Sequence, residues 1–170
     1  MSAFVFGPHI ITNTTIPGQP FSAKFRGWAK KNGVERDHLG RIFRDNSGRL
    51  RYDGEYQGIW VISSIHDPVG GVHIILDHLH RSYIQPTERF GTPLRTSMPE
   101  STEKRIINGV ECVRYPPGQT LEEAWVSPEL ELVIQEHTRD ESHETMWEIY
   151  GIVRMEPDES LFRIPGDYHA

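Results

Sequence analysis

The clearest pattern of apolar and polar positions lies near the end of the chain, between Glu144 and Met155. The apolar side of this pattern consists of Trp147, Ile149, Gly151, Val153 and Met155. Glu148 and Arg154 fall on the opposite side. A period of two residues is typical of a β-strand with one buried face. We therefore predict a strand here, with the apolar side turned toward the core.

The residues after this strand predict a short segment that closes one end of a sheet. Pro157 and Asp158 can start a helical turn, and Pro165 with Gly166 can end the segment. Leu161 and Phe162 lie between these signals and offer apolar anchors. We expect them to pack against the sheet and lock its end.

Earlier in the chain, alternating strands are separated by turn signals, as in a meander of hairpins. The predicted strands here are Phe21–Arg26, His38–Arg44 and Arg49–Asp53. The turn signals are Lys31-Asn32-Gly33, Asp45-Asn46-Ser47-Gly48 and Asn108-Gly109. Asn-Gly suits both central positions of a type I′ turn, which is the commonest connection of a tight hairpin.

The middle of the chain is its most apolar part. Residues Ile59–Ile65 and Val72–Leu76 are rich in β-branched side chains on both faces, which is typical of strands covered on two sides. Residues 86–103 lose all periodicity and gather Thr, Pro, Ser and Gly. A loop of this length is often a lid or a binding loop, and we predict that it plugs the sheet. We count about ten strands in the whole chain.

Length and composition predict a single all-β domain, or a β-rich α+β one with only short helical turns. The chain has 170 residues, of which 36% are hydrophobic, and its 15 Gly and 12 Pro favour many turns over long helices. We assign residues 21–170 to one antiparallel-sheet domain and residues 1–20 to an N-terminal arm and linker. The β-branched residues of the arm include the self-association candidates Ile10, Ile11, Thr12, Thr14 and Ile16. They can pair with the chain's own sheet or with an open edge of another copy.

Charge and cysteine usage exclude some classes of partner. The formal net charge of -6 argues against a nucleic-acid partner, which would require a basic surface. Cys112 is the single cysteine, so an intrachain disulfide is impossible, and we expect it to pack as a small apolar side chain. No stretch is apolar and long enough to span a membrane, and the N-terminus lacks the layout of a secretion signal.

Histidines are the residues that first suggest chemistry. His78 and His80 are two positions apart and could bind a metal with His73 or Asp77. They follow a strand, however, where polar residues usually meet solvent, so we predict no metal and no cofactor. His66-Asp67 could form an oriented base, but the following Pro68 predicts a turn in which the Asp67 carboxylate accepts backbone N–H bonds. No nucleophile motif or phosphate-binding loop is present, so we assign no catalytic residue.

Aromatic residues on predicted strands are the candidates for ligand contact. They are Phe43, Tyr52, Trp60, Trp125 and Trp147. The simplest interpretation is an ordinary core. In a curved sheet without a covering helix, the concave face must instead be filled by loops, by a ligand or by another subunit.

Five stretches of the sequence share features with a known group of proteins: Pro20–Ala23, Arg44–Arg49, Ile65–Val72, Trp125–Leu130 and, in the closing segment, Tyr150 through Tyr168. On these residues the chain resembles bacterial exported proteins of the LolA/LolB lipoprotein-carrier superfamily, especially uncharacterised ones of Acidobacteria-type genomes. The resemblance implies a strongly curved antiparallel sheet, a half-barrel whose concave side holds an apolar ligand. It also implies a periplasmic or secreted protein, and it carries no shared catalytic motif.

Three functional hypotheses follow. The first is a non-enzymatic exported binding protein for an apolar or amphipathic ligand, lipid or lipoprotein-like, in the concave face. The absence of a predicted amphipathic helix argues against lipoprotein carriage itself, because such carriers cover the sheet's mouth with helices. The second is a subunit that self-assembles through the N-terminal arm. The third is a small-molecule enzyme on the same scaffold that uses His66, His78 and His80.

Overall fold

A computed structural model describes residues 19–67, 70–86, 103–115 and 121–170, and the structural statements below refer to these residues. They form eleven strands and one short 3-10 helix. The strands are β1 Phe21–Lys31, β2 Val34–Arg44, β3 Leu50–Tyr56, β4 Ile59–Asp67, β5 Val72–Asp77, β6 Ser82–Ile84, β7 Lys104–Ile107, β8 Val110–Tyr115, β9 Leu121–Ser127, β10 Leu132–Arg139 and β11 His143–Val153. The 3-10 helix is Glu159–Phe162. The all-β prediction is confirmed, with one strand more than we counted. The N-terminal arm and most of the predicted 86–103 loop lie outside the described residues.

All eleven strands belong to one antiparallel sheet made of two meanders. The strand order is β6-β5-β4-β3-β2-β1-β11-β10-β9-β8-β7. β1 pairs with β11 along nearly its whole length, for example through Phe25 and Ile149. The first and last strands therefore lie at the centre of the sheet, and the ends of the two meanders lie at its edges.

The hairpin turns follow the predicted chemistry. Asn32 and Gly33 both have positive φ, as do Asn108 and Gly109, so these predicted turns are confirmed. A third turn of the same kind occurs at Gln57-Gly58. The sequence did not predict it, because glutamine is not a typical residue for positive φ.

The final strand departs from simple alternation after Tyr150. Gly151 has a φ of +61°, and the register between β1 and β11 shifts at this point. This bulge turns Ile152 toward the core and leaves Val153 and Met155 exposed. The prediction that Val153 and Met155 share the buried side of Trp147 is therefore wrong, because an extra residue reverses the alternation.

The main core lies on one face of the sheet, which we call the inner face. Phe25 contacts the rings of Trp147 and Tyr52, with centroid distances of 5.7 and 6.4 Å. Cys112 is fully buried in this core, as predicted. The sheet is not strongly curled, so the marked curvature expected of a half-barrel is corrected to a more open sheet. Large side chains on the inner face pack against one another.

A second, smaller core lies on the opposite, outer face and is covered by the C-terminal tail, residues 156–170. Phe162 is only 5% exposed and packs with Ile65 and Leu76. Asp158 starts the 3-10 helix, because its carboxylate accepts the backbone N–H of Ser160 at 2.8 Å. The predicted lock is confirmed. The tail also runs along β6, where Tyr83 donates its backbone N–H to the carbonyl of His169 at 2.9 Å.

Candidate ligand-binding cleft

A cleft of about 410 Å³ opens on the outer face, where β1, β2 and β11 run side by side. It is lined by Arg26, Gly27, Trp28, Asp37, Leu39, Met146, Trp147 and Glu148. The alternating residues of each strand supply its side chains, because positions two apart on a strand point to the same face. We take this cleft as the candidate site.

Cross-strand pairing places the lining side chains in two rows. Trp28 pairs with Asp37 on one neighbouring strand and with Met146 on the other. In the next row, Arg26 pairs in the same way with Leu39 and Glu148. Directly opposite side chains lie within contact distance in a sheet. The cleft therefore combines an acid, an aromatic ring and a thioether in one row with an aliphatic side chain and an ion pair in the other.

The charged side chains of the cleft differ in whether they have a partner of opposite charge. Arg26 Nε forms an ion pair with Glu148 Oε1, and its guanidinium lies 4.9 Å from the ring centroid of Tyr150. Asp37 is exposed, and no side chain or backbone group in the described ranges forms a hydrogen bond or an ion pair with its carboxylate. The uncompensated charge of the cleft is therefore negative.

His137 on β10 flanks the first row. Its ring centroid lies 6.5 Å from that of Trp28, and its Nε2 lies 2.8 Å from Glu144 Oε1. The hydrogen bond from His137 lowers the pKa of the Glu144 carboxyl group, so this acid stays ionised. Glu144 is not one of the lining residues of the cleft, and its carboxylate is already bound to His137.

Gly27 forms part of the cleft's floor. A Cβ atom at this position would lie 2.3 Å from the carbonyl oxygen of Met146 and 3.0 Å from Trp147 Cε3. Real Cβ atoms do not approach a backbone oxygen so closely, so only glycine allows β1 and β11 this separation. The spacing of β1 and β11 beneath the cleft therefore depends on the absence of a side chain at Gly27.

Beside the cleft, a buried polar network connects the sheet to the tail. Arg51 Nε and Ser63 Oγ both contact Asp53 Oδ1, at 2.5 and 2.6 Å. Ser63 Oγ also lies 2.6 Å from His78 Nε2, and His78 Nδ1 lies 2.5 Å from the hydroxyl of Tyr168. Arg51 Nη1 donates to the backbone carbonyl of Leu161 at 2.5 Å. The network therefore holds the tail at two points.

The hydrogen-bond roles in this network follow from its carboxylate. Asp53 can only accept, so Ser63 donates its proton to Asp53 and accepts from His78 Nε2–H. The other ring nitrogen, Nδ1, then accepts from the hydroxyl of Tyr168. Burial, followed by repulsion from Arg51, lowers the pKa of His78, in agreement with this neutral ring. Ser63 is 0% exposed, so its hydroxyl cannot reach a substrate in this conformation.

The other residues considered for histidine chemistry, His80 and Asp67, each make a contact within their own turn. His80 lies in a turn and its Nδ1 contacts Asp77 Oδ2 at 2.7 Å, so it does not share a strand face with His78. Asp67 accepts the backbone N–H of Gly70 at 2.9 Å, which is the turn role that we predicted. No group of three or more potential metal ligands occurs among residues 19–67, 70–86, 103–115 and 121–170.

The five aromatic candidates do not meet in one place. Tyr52, Trp125 and Trp147 pack in the inner-face core, and Trp147 also forms the cleft floor. Phe43 packs in the outer-face core beneath the tail. The guanidinium of Arg41 lies 3.9 Å from the ring centroid of Trp60. Ligand contact by these residues stays a prediction.

Sequence reasoning missed Trp28 and Met146 as site residues. Both lie on the polar side of their strands, between charged residues such as Arg26 and Glu148. An apolar side chain on the solvent side of an alternating strand is the signal that could have found them. It becomes specific only when the pairing of β1 with β11 is known.

The described residues form a single-sheet, all-β protein with an open cleft on its outer face. No protein-family model matches the sequence, and no curated protein matches it. Among solved structures, PNGF-II is similar with a TM-score of 0.53 and 11% identity over 89% of this chain and 30% of that one. The complex of Pseudomonas aeruginosa MucA and MucB is similar with a TM-score of 0.51 and 13% identity over 88% of this chain and 57% of that one.

These comparisons establish a likeness of fold at low sequence identity. The chain spans less than a third of PNGF-II and just over half of the MucB chain. A LolA-superfamily protein from Nitrosomonas europaea is similar over 93% of this chain at 7% identity, with a TM-score of 0.46. The Acidobacteria-type relationship stays a prediction. In the described part of the chain, no helix is long and apolar enough to cross a membrane.

Proposed function

We propose that the protein is a non-enzymatic, exported binding protein for an amphipathic ligand, and that the outer-face cleft holds this ligand. The observation that carries the proposal is the composition of the cleft. Leu39 is 45% exposed and lines the cleft together with the half-buried Trp28 and Met146, and the other lining side chains include Arg26, Asp37 and Glu148. An apolar floor with a charged rim suits a molecule that has both an alkyl part and a polar part.

The size and adaptability of the cleft support the same proposal. A volume of about 410 Å³ lies within the usual range for small-molecule sites. Met146 has an unbranched, polarisable side chain that can fit ligands of different shape. The cleft differs from the site that we expected, because Tyr52 and Trp125 pack in the inner-face core and do not line it.

A solved complex of a protein with a similar fold supports a binding function. MucB, which shares the fold, has been solved in complex with MucA(peri), a protein partner. The Ser63 and His78 side chains, which could otherwise suggest a nucleophile and base, are engaged in the network beneath the tail. The enzyme hypothesis therefore has less support than the binding hypothesis.

Titration with decyl maltoside below its critical micelle concentration tests the proposal. We expect saturable binding and a shift of the Trp28 indole N–H signal in the NMR spectrum. Leu39→Gln with Met146→Gln should weaken binding by about ten-fold, because two apolar contacts are lost. Ile106→Gln is the matched control, since Ile106 is 76% exposed on the distant strand β7. No saturable binding, or equal binding by both variants, would contradict the proposal.

Self-assembly is a second candidate, which the edge strand β7 favours. Among the described strands, β7 has a neighbour only on the β8 side, whereas β6 is also bordered by the tail at His169. An edge strand can accept a strand from another copy. Removal of residues 1–18 should then convert an oligomer to a monomer in light scattering after gel filtration. A monomeric full-length chain would exclude this function.

A further inference from the structure

From the charges of the cleft we infer a ligand class, an amphiphile with a cationic head, that is, an alkylammonium compound. The inference rests on the proposed function and adds the sign of the ligand's charge. The head would lie between the Asp37 carboxylate and the Trp28 ring, and the alkyl chain would lie along Leu39 and Met146.

The first argument is the pairing of Asp37 with Trp28. They are directly opposite each other on β2 and β1, and both side chains face the cleft. A cation placed between them would contact a carboxylate and an aromatic face at once, and each contact is attractive. The indole is the most favourable of the aromatic side chains for a cation.

The second argument is that Arg26, the cationic residue that lines the cleft, already has Glu148 as its anionic partner. Arg26 is bound to Glu148 and lies over Tyr150, so it does not neutralise Asp37. The next cation along β1, Lys30, pairs in register with Glu35 on one side and Glu144 on the other. An anionic head placed beside Trp28 would therefore be repelled by the Asp37 carboxylate, which lies directly opposite Trp28.

The third argument is the position of the apolar residues. Leu39 and Met146 lie in different rows and on opposite sides of β1, so they flank the Trp28 and Arg26 positions. An alkyl chain can contact both while its head remains beside Asp37. The arrangement fits a molecule with one charged end rather than a compact cation without a chain.

Three decyl amphiphiles that differ only in their heads test the inference. Decyltrimethylammonium, decyl sulfate and decyl maltoside are each titrated below their critical micelle concentrations, by calorimetry and by the Trp28 indole signal. At pH 7 and low salt, we expect the cation to bind about ten-fold more tightly than the neutral compound and the sulfate to bind most weakly. Added salt should reduce the preference, because it screens an exposed carboxylate.

Matched variants separate a specific contact from general electrostatics. Asp37→Asn should lower the affinity for decyltrimethylammonium about ten-fold and leave that for decyl maltoside unchanged. Glu35→Gln removes the same charge two residues away on the same strand and should have little effect. Thermal melting checks that both variants fold, which is expected because both positions are exposed.

The outcomes distinguish this inference from the proposed function. Equal binding of all three amphiphiles, or equal effects of Asp37→Asn and Glu35→Gln, would overturn the cation preference while the binding function stands. Tighter binding of decyl sulfate would overturn it as well. Absence of binding by any of the three would overturn both.

Discussion

The outer face of the sheet has two regions that share one pattern of alternation but differ in what covers them. Over β3, β4 and β5 the tail covers the face, and Phe162 is packed with Ile65 and Leu76. Over β1, β2 and β11 the face stays open, and Leu39 is 45% exposed. We call these the covered region and the open region. The comparison shows that strand alternation assigns a side chain to a face but does not decide whether that face is buried.

Polar groups behave differently in the two regions. In the covered region, Asp53 is 1% exposed and binds Arg51, Ser63 and Arg41, so its charge is compensated. In the open region, Asp37 is exposed to solvent. A buried charge requires partners, whereas an exposed one is free to meet a ligand. The covered region is therefore suited to stability, and the open region to binding.

The largest expected effect is a difference in stability between two alanine substitutions, each of which removes one aromatic side chain from one region. Phe162→Ala should lower the free energy of unfolding by about 4 kcal/mol, because it opens a cavity between the tail and the sheet. Trp28→Ala should cost less than about 1.5 kcal/mol, because the indole already contacts water. Urea unfolding of both variants measures the difference. Equal losses would mean that the two regions are equally packed.

The second comparison replaces one carboxylate in each region. Asp53→Asn should cost about 3 kcal/mol, because Arg51 is left buried without its counter-charge. Asp37→Asn should change stability by less than about 0.5 kcal/mol. Both values come from chemical denaturation at pH 7. A stability loss at Asp37 that matched the loss at Asp53 would contradict the open character of the cleft.

The third comparison tests the close approach of β1 and β11. Gly27→Ala should cost about 2 kcal/mol, because the added Cβ would force the two strands apart. Gly166→Ala in the tail is the control, since no atom lies within 4 Å of a Cβ there. Thermal melting of the pair measures this cost. Wild-type stability of Gly27→Ala would show that the floor of the cleft can widen without strain.

The smallest effect is a pH dependence that arises in the covered region. Burial and then Arg51 lower the pKa of His78 below its ordinary value of 6.5, while Asp53 and Asp77 oppose this. As pH falls below about 6.5, the unfolded chain takes up a proton at this histidine before the folded protein does, so stability falls. His78→Gln should flatten this loss between about pH 7 and pH 5.

His169→Gln is the control for this pH measurement, because the His169 side chain is exposed. The stability of this variant should follow that of the wild type across the same pH range. Identical pH profiles for His78→Gln and the wild type would contradict a role for His78 in the pH dependence.

The sequence predicted most of the strands and several turns, because these depend on local chemistry. Asn32-Gly33 and Asn108-Gly109 require positive φ, and the residues themselves signal it. The tail was also predictable, since Leu161 and Phe162 stand out between turn signals. The reversal of the buried and exposed alternation at Gly151 could not be predicted, because a bulge depends on the neighbouring strand.

The cleft could not be predicted, because it depends on a long-range pairing. Trp28 and Met146 become neighbours only when β1 lies beside β11, and no local pattern specifies that choice. The aromatic residues that we selected instead were mostly core residues, such as Trp125. Aromatic side chains fill cores more often than they form sites, so residue type alone did not separate the two roles.

The pairing of β1 with β11 also has a consequence for how the chain reaches its native state. Arg26 and Glu148, which face each other across this seam, are 122 positions apart in sequence. Each meander can form from its own hairpins at small entropic cost. The pairing of β1 with β11 instead requires the closure of a very long loop. During synthesis, β1 of the first meander would remain an unpaired edge strand until β11 emerges from the ribosome.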